Sequence, residues 1–274
     1  RTENREPRTE NREPRTENRE DCQMTACVSS RTYGKYNIKL GFCKWETGEL
    51  KIEKKQKRNY NNFMGNIITL YHGSHEGIEG EIAPNISRDV CDFGKGFYTG
   101  DNPTQAKTLI CEDKCSTFYT LEADLSNLSV YEFSNANEWA LVIGVFRGHI
   151  DRKDFPKLSE LVSKIEQHDV IKGLIANDRM AYVYTQFVTG AITDVVLQNA
   201  LQYVKLGNQY VFKTERACRE LKIVKIQKLP DAEKNNLLSE KHRTIGNLKT
   251  DIENLQKKFR REGRFMDELL DEWR

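Results

Sequence analysis

Ile67-Ile68-Thr69-Leu70-Tyr71-His72-Gly73-Ser74, followed after a polar loop by Asp92-Phe93-Gly94-Lys95-Gly96-Phe97-Tyr98-Thr99-Gly100, carries the organising signal of the chain. The first part is a short apolar run that stops at His-Gly-Ser. It reads as a buried strand that delivers a histidine to its end, with Gly73 free to turn tightly. The second part sets three glycines around two aromatics. Such a density of glycine lets backbone come close to a ligand, and Tyr98 offers a flat face for stacking. Each element has glycine beside its key side chain, so one cleft built from both is expected.

Toward the N-terminus, residues 1–20 repeat Arg-Thr-Glu-Asn-Arg-Glu-Pro with a period of seven. No repeat position is hydrophobic, which excludes a coiled coil, and proline interrupts any helix. This segment is expected to be a disordered, low-complexity extension. Residues 21–61 read as an N-terminal extension or linker. In it Asn37-Ile38-Lys39-Leu40-Gly41-Phe42 has the alternation of a strand, and the basic run Lys51–Arg58 reads as a solvated linker rather than a polyanion contact.

The domain proper is expected over residues 62–229. Asn102-Pro103 opens a helix, with proline in the first turn. Thr117–Asp124 and Leu128–Phe133 read as strands. Asn137–Arg147 reads as an apolar helix with Asn137 as its cap, and Phe155–Gln167 as an amphipathic helix. Asp169–Ala176 is a buried strand ending at Asn177-Asp178-Arg179. Helices follow over Met180–Val188 and Ile192–Val204, the second capped by Thr193 or Asp194. Strands over Leu206–Phe212 and Lys222–Leu229 flank a short helix at Thr214–Leu221. Residues 230–274 form a charged helical extension, which Gly246 and Gly263 are expected to divide into two or three helices. Docking on the domain and pairing with a helical partner are both open for it. Strands in adjacent pairs with irregularly placed helices give an α+β class rather than a doubly wound sheet.

At YHGS (residues 71–74) and DFGKGFYT (residues 92–99) the chain resembles the ADP-ribosyltransferase superfamily, in particular a bacterial branch marked by those two motifs. Gly173-Leu174-Ile175-Ala176-Asn177-Asp178-Arg179 and Asn208-Gln209-Tyr210-Val211-Phe212 extend the likeness over about residues 67–229. The resemblance implies split, mostly antiparallel sheets and NAD as co-substrate. It also implies a His-Tyr-Glu triad, with His72 and Tyr98 as its first two members. Gln209 stands where the third, a glutamate, is found in the family. His72 would then hold the adenine-side ribose, Gly73 the nicotinamide amide and Tyr98 the nicotinamide ring. Gln209 would hold the other ribose 2′-hydroxyl. Ser74, Lys95, Gly96 and Phe97 would line the cofactor, and Arg179 is the candidate bidentate donor to the pyrophosphate. A glutamine brings no negative charge and cannot act as a base. Chain elongation is therefore not expected, whereas transfer of a single ADP-ribose is.

The plainer reading of each residue stands beside this one. A lone histidine at a strand end is usually structural, and a tyrosine beside glycines usually packs. It is the ordered set that favours a site. The functions implied are a mono-ADP-ribosyltransferase (a toxin or phage-defence effector being the narrower form), an NAD glycohydrolase, or a binding module that has lost catalysis. The sequence does not choose the acceptor (protein, nucleic acid or small molecule). An antitoxin is one partner that residues 231–274 suit.

The remaining composition excludes more than it proposes. The 43 basic and 41 acidic residues nearly balance, which gives no global argument for nucleic acid. No apolar run is long enough for a membrane span and no signal peptide is expected. The seven cysteines show no metal-ligand spacing, and no metal is expected. Reduced thiols in a cytoplasmic protein, or in an effector delivered to that compartment, are the expectation. Deleting residues 1–20 should leave the urea midpoint and any NAD-dependent activity unchanged; a cooperative loss of structure on deletion would show that the repeat packs on the domain.

Overall fold

The computed structural model describes residues 66–274, apart from residues 86, 88–90, 114–115, 177–178 and 205. The expectations for the repeat, for the strand at 37–42 and for the basic run at 51–58 lie outside the described residues, as do Asn177 and Asp178 and the side chain of Arg179.

Seven strands form one mixed sheet among the described residues. They are β1 (Ile67–Ser74), β2 (Phe97–Gly100), β3 (Thr117–Asp124), β4 (Val130–Glu132), β5 (Val170–Leu174), β6 (Asn208–Phe212) and β7 (Leu221–Lys228). Their spatial order is β4-β5-β6-β2-β1-β3-β7. All pairs are antiparallel except β4 with β5. The helices are α1 (Pro103–Thr108), α2 (Ala136–Phe146), α3 (Pro156–Glu166), α4 (Arg179–Val188), α5 (Asp194–Val204), α6 (Glu215–Arg219), α7 (Asp231–Lys258) and α8 (Met266–Leu270). The class is therefore α+β, as the sequence suggests.

The sheet is continuous but nearly divided. β1 pairs with β3 along all eight residues, whereas β1 and β2 meet at one pair only, Tyr71 with Gly100. Beyond that pair the two strands part. The β1-β3-β7 side and the β2-β6-β5-β4 side are thus two ladders joined at one place. Alternation then fixes the faces. Tyr71, Gly73, Tyr98, Gly100, Gln209 and Val211 share one face, and Leu70, His72, Phe97 and Phe212 share the other. The main core, around Trp139, Tyr184, Phe187 and Val211, lies on the first face, and a smaller cluster around Leu70, Phe97, Tyr119 and Phe212 lies on the second.

Local chemistry explains most boundaries. The Asn102 side chain accepts from the Thr104 and Gln105 amides at 3.0 and 3.3 Å and starts α1. The cap of α2 is Asn135, not Asn137. Asn135 has extended backbone and accepts from the Glu138 amide at 2.9 Å. Asn137 is already helical and donates instead to Asp194. At α5 the Thr193 hydroxyl turns away to the Glu262 carbonyl, while Asp194 accepts from the Val195 and Arg264 amides.

In the C-terminal segment two helices, α7 and α8, form as expected, and Gly263, with a positive φ, lies in the break between them. Gly246 does not break the helix: α7 runs through it for 28 residues. A single glycine costs about 1 kcal/mol against alanine, and α7 offsets this by burying Leu248, Ile252 and Leu255. These join Met266 and Leu269 in the main core. At its other end α7 reaches α1, where Lys107 meets Glu233 at 2.7 Å and Leu237 packs on the cluster of Ala106, Ile110 and Phe118. The apolar stripe is thus used within the chain. Ile252→Ala should cost about 2–5 kcal/mol, the range for emptying a buried aliphatic site. Urea denaturation measures it, and a change near zero would show that α7 does not contribute to the core.

Candidate functional site

His72 stands where β1 leaves β2. Its backbone is paired with Tyr119 of β3, so its ring is free to cross the opening on the other side. There Nδ1 lies 2.7 Å from the Tyr98 carbonyl oxygen, and the ring packs on Phe97 at 4.6 Å between centroids. A carbonyl only accepts, so Nδ1 carries the proton. The imidazole thereby supplies a hydrogen bond that the interrupted β1–β2 ladder does not. Burial holds the pKa of His72 below its ordinary value, more than offsetting the hydrogen bond to Tyr98, and His75 acts in the same direction. A neutral ring protonated on Nδ1 leaves Nε2 as a bare acceptor.

Tyr98 is held by its own loop. Its hydroxyl donates to the Gly94 carbonyl at 2.7 Å and accepts from the Phe93 amide at 3.0 Å. Burial raises its pKa far above the usual tyrosine range. The hydroxyl is therefore neutral and occupied in closing the turn, and the half-buried ring is what Tyr98 has to offer. Gly96 is required here because a β-carbon would come within 2.4 Å of Val211 Cγ1. Lys213 reinforces the loop by donating to the Phe93 carbonyl at 2.5 Å.

Gln209 lies 4% exposed at the centre of a polar network. Its Nε2 donates to Asp92 Oδ2 at 2.7 Å and to the Leu174 carbonyl at 2.9 Å. Asp92, 2% exposed, gives its other oxygen to Arg147, with contacts at 3.1 Å from Nε and 2.5 Å from Nη2. Arg147 Nη2 also reaches the Ala176 carbonyl, and Trp139 Nε1 donates to the Leu174 carbonyl at 3.0 Å. Both partners of the Gln209 amide nitrogen can only accept, which fixes which way round the amide sits. Its oxygen must point away from them. This is also why glutamine suits the position: a glutamate would set a second carboxylate against Asp92 and a carbonyl.

The other expected contacts divide. Gly73 has a packing reason to be glycine, since a β-carbon would lie 2.6 Å from the Ala106 carbonyl oxygen of α1. Ser74 is engaged with its own turn, donating to the Gly77 carbonyl and accepting from the Gly77 amide. Lys95 is exposed at the tip of the loop, and Phe97 is buried under His72. The side chains of His72, Tyr98 and Gln209 do not converge on one point. His72 belongs to one face of the sheet and the other two to the opposite face, with the seam between β1 and β2 beside them. Asp92 and Arg147 are the residues that sequence reading did not single out. Asp92 sat in view within the Asp-Phe-Gly motif, but nothing around Arg147 marks it as the partner of a residue 55 positions away. Among the described residues no cluster of His, Cys, Asp or Glu could hold a metal, and no helix is long and apolar enough to cross a membrane.

Residues 68–223 match the model of a family of proteins of unknown function (DUF3990), and the chain belongs to that family. No curated protein and no solved structure matches it.

A histidine whose folded pKa lies below its unfolded value contributes its full stability above about pH 6.5. That contribution is lost as pH falls from there to the folded value, because the unfolded chain takes up the proton first. Stability measured by urea denaturation should therefore drop on acidification below about pH 6.5, and His72→Asn should flatten that slope. An unchanged slope would mean that His72 is not the buried titrating group.

Proposed function

We propose that this member of the DUF3990 family is an NAD-dependent mono-ADP-ribosyltransferase with an ADP-ribosyltransferase-like fold. The observation that carries the reading is the parting of β1 and β2 beyond their one pair, Tyr71 with Gly100. His72 bridges it, Tyr98 flanks it, and Gln209 is the cross-strand partner of Gly100 itself. The likeness at YHGS and DFGKGFYT supports the same reading.

The chemistry of the groups fits ribose hydroxyls. His72 Nε2 and Gln209 Oε1 are both neutral acceptors, and each is oriented by a hydrogen bond on its other side. With groups on two faces of the sheet, this reading requires an extended dinucleotide that spans the seam, with one ribose toward His72 and the other toward Gln209. The Tyr98 ring offers a stacking surface to the nicotinamide. In the reaction the bond from ribose C1′ to the nicotinamide nitrogen breaks, and nicotinamide leaves with the electron pair. An acceptor nucleophile then bonds to C1′ and gives its proton to solvent or to a base of its own. The chain's part is to hold the two riboses and the ring in line. Gln209 adds no charge to stabilise the oxocarbenium-like transition state, so the rate enhancement rests on positioning.

A second reading is an NAD-binding module without turnover. The commitment of the Gln209 amide to Asp92 favours it, because that position carries no carboxylate. Incubation with NAD labelled in the adenylate and with a cell lysate separates the two: transfer of label with release of nicotinamide supports the enzyme, and saturable binding without release supports the module. His72→Ala and Tyr98→Ala should each abolish nicotinamide release from a folded protein. Tyr98→Phe should retain release while losing about 1–3 kcal/mol of stability, because it keeps the ring and orphans the loop's hydrogen bonds. Full activity in both alanine variants would overturn the assignment.

A further inference from the structure

We propose that Asp92, held by Arg147, is the positioning residue that decides which end of the Gln209 amide faces the site; this rests on the ADP-ribosyltransferase reading above. An amide side chain has two ends of nearly equal shape and opposite hydrogen-bonding character. At Gln209 the choice is made from behind. Asp92 Oδ2 and the Leu174 carbonyl both demand a donor, so Nε2 turns to them and Oε1 is turned away from both. Asp92 in turn is fixed by Arg147, whose Nε and Nη2 both address Oδ1 and leave Oδ2 to Gln209. A carboxylate that accepts from one amide N–H also polarises that amide and makes its oxygen a better acceptor. The Arg147–Asp92–Gln209 chain is thus a means of presenting a strengthened neutral acceptor where the ADP-ribosyltransferase motif it resembles has a glutamate.

The same loop serves Tyr98. Asp92 is followed by Phe93 and Gly94, whose backbone holds the Tyr98 hydroxyl. Anchoring Asp92 on Arg147 therefore also anchors the turn that sets the Tyr98 ring.

Asp92→Asn tests the idea with an almost isosteric change. Arg147 has only donors to give, so the oxygen of the introduced amide stays with it and the nitrogen faces Gln209. Two donors then oppose each other while the Leu174 carbonyl still accepts, so the Gln209 amide no longer holds one orientation and presents Nε2 to the site in part of the molecules. Gln209→Glu alone sets two carboxylates together and should give a less stable protein with no gain in rate. In the Asp92→Asn background the same change lets the introduced amide donate to the introduced carboxylate, whose second oxygen faces outward as an acceptor.

The readouts are kcat and KM for nicotinamide release per folded molecule, with urea denaturation in parallel. Asp92→Asn should lower kcat on the order of 10²-fold with a smaller change in KM. Adding Gln209→Glu should recover at least about tenfold of that loss, giving the non-additivity of a coupled pair. Where Asp92→Asn does not fold, Arg147→Lys keeps the charge without the two-pronged contact, and should lower kcat roughly tenfold. Wild-type kcat in a folded Asp92→Asn, or in Arg147→Lys, would overturn the positioning role and leave the transferase reading standing. A double variant no better than Asp92→Asn alone would overturn the proposed amide orientation. A wild-type chain that releases no nicotinamide under any of these conditions would overturn both readings together.

Discussion

The buried carboxylate of Asp92 constrains the structure more than any other group. An isolated charge out of water is very costly, so it must be paired and hydrogen-bonded. Arg147 supplies the opposite charge from the end of α2, and Gln209 supplies a donor from β6. Trp139 and Gln209 meet at the Leu174 carbonyl of β5. One carboxylate thereby ties together the loop before β2, a core helix and two strands. Removing any single partner would leave a polar group buried without compensation, which is why these side chains act as a unit.

That unit sits beside the one weak seam in the sheet. A continuous ladder between β1 and β2 would leave no opening, and two separate sheets would not hold their edges in register. A single pair at Tyr71 and Gly100 meets both needs, with the His72 ring standing in for part of the missing ladder. The side of the seam that carries β2 is made stiff by the Asp92 network and by the Tyr98 hydroxyl. The β1 side is stiffened by full pairing with β3 and by α1 packed closely on Gly73.

Helix α7 lies outside the matched family region yet touches both sides of the fold. Its first turns are tied to α1 through Lys107 and Leu237, and its later turns enter the main core through Leu248, Ile252 and Leu255. Because α1 rests on β1 while the main core rests on β5 and β6, a rigid rod between them limits how far the two ladders can move relative to each other.

Local alternation, helical spacing and capping were enough to read the α+β class, nearly every strand and helix from residue 67 onward, and the placing of His72, Tyr98 and Gln209 on three strands. Neighbouring residues settle such properties among themselves. The same signals misplaced the cap of α2 by two residues and counted Gly246 with Gly263 as a dividing point, because the hydrogen-bonding partner of Asn137 and the core under α7 are remote in sequence. Which way round Gln209 sits was beyond their reach altogether. A glutamine read alone can donate or accept. Its orientation comes from Asp92, 117 residues away, and from a charge on Arg147 that no local pattern announces. Hydrogen-bonding direction at a buried amide is set by what surrounds it, and the surroundings exist only once the chain has folded.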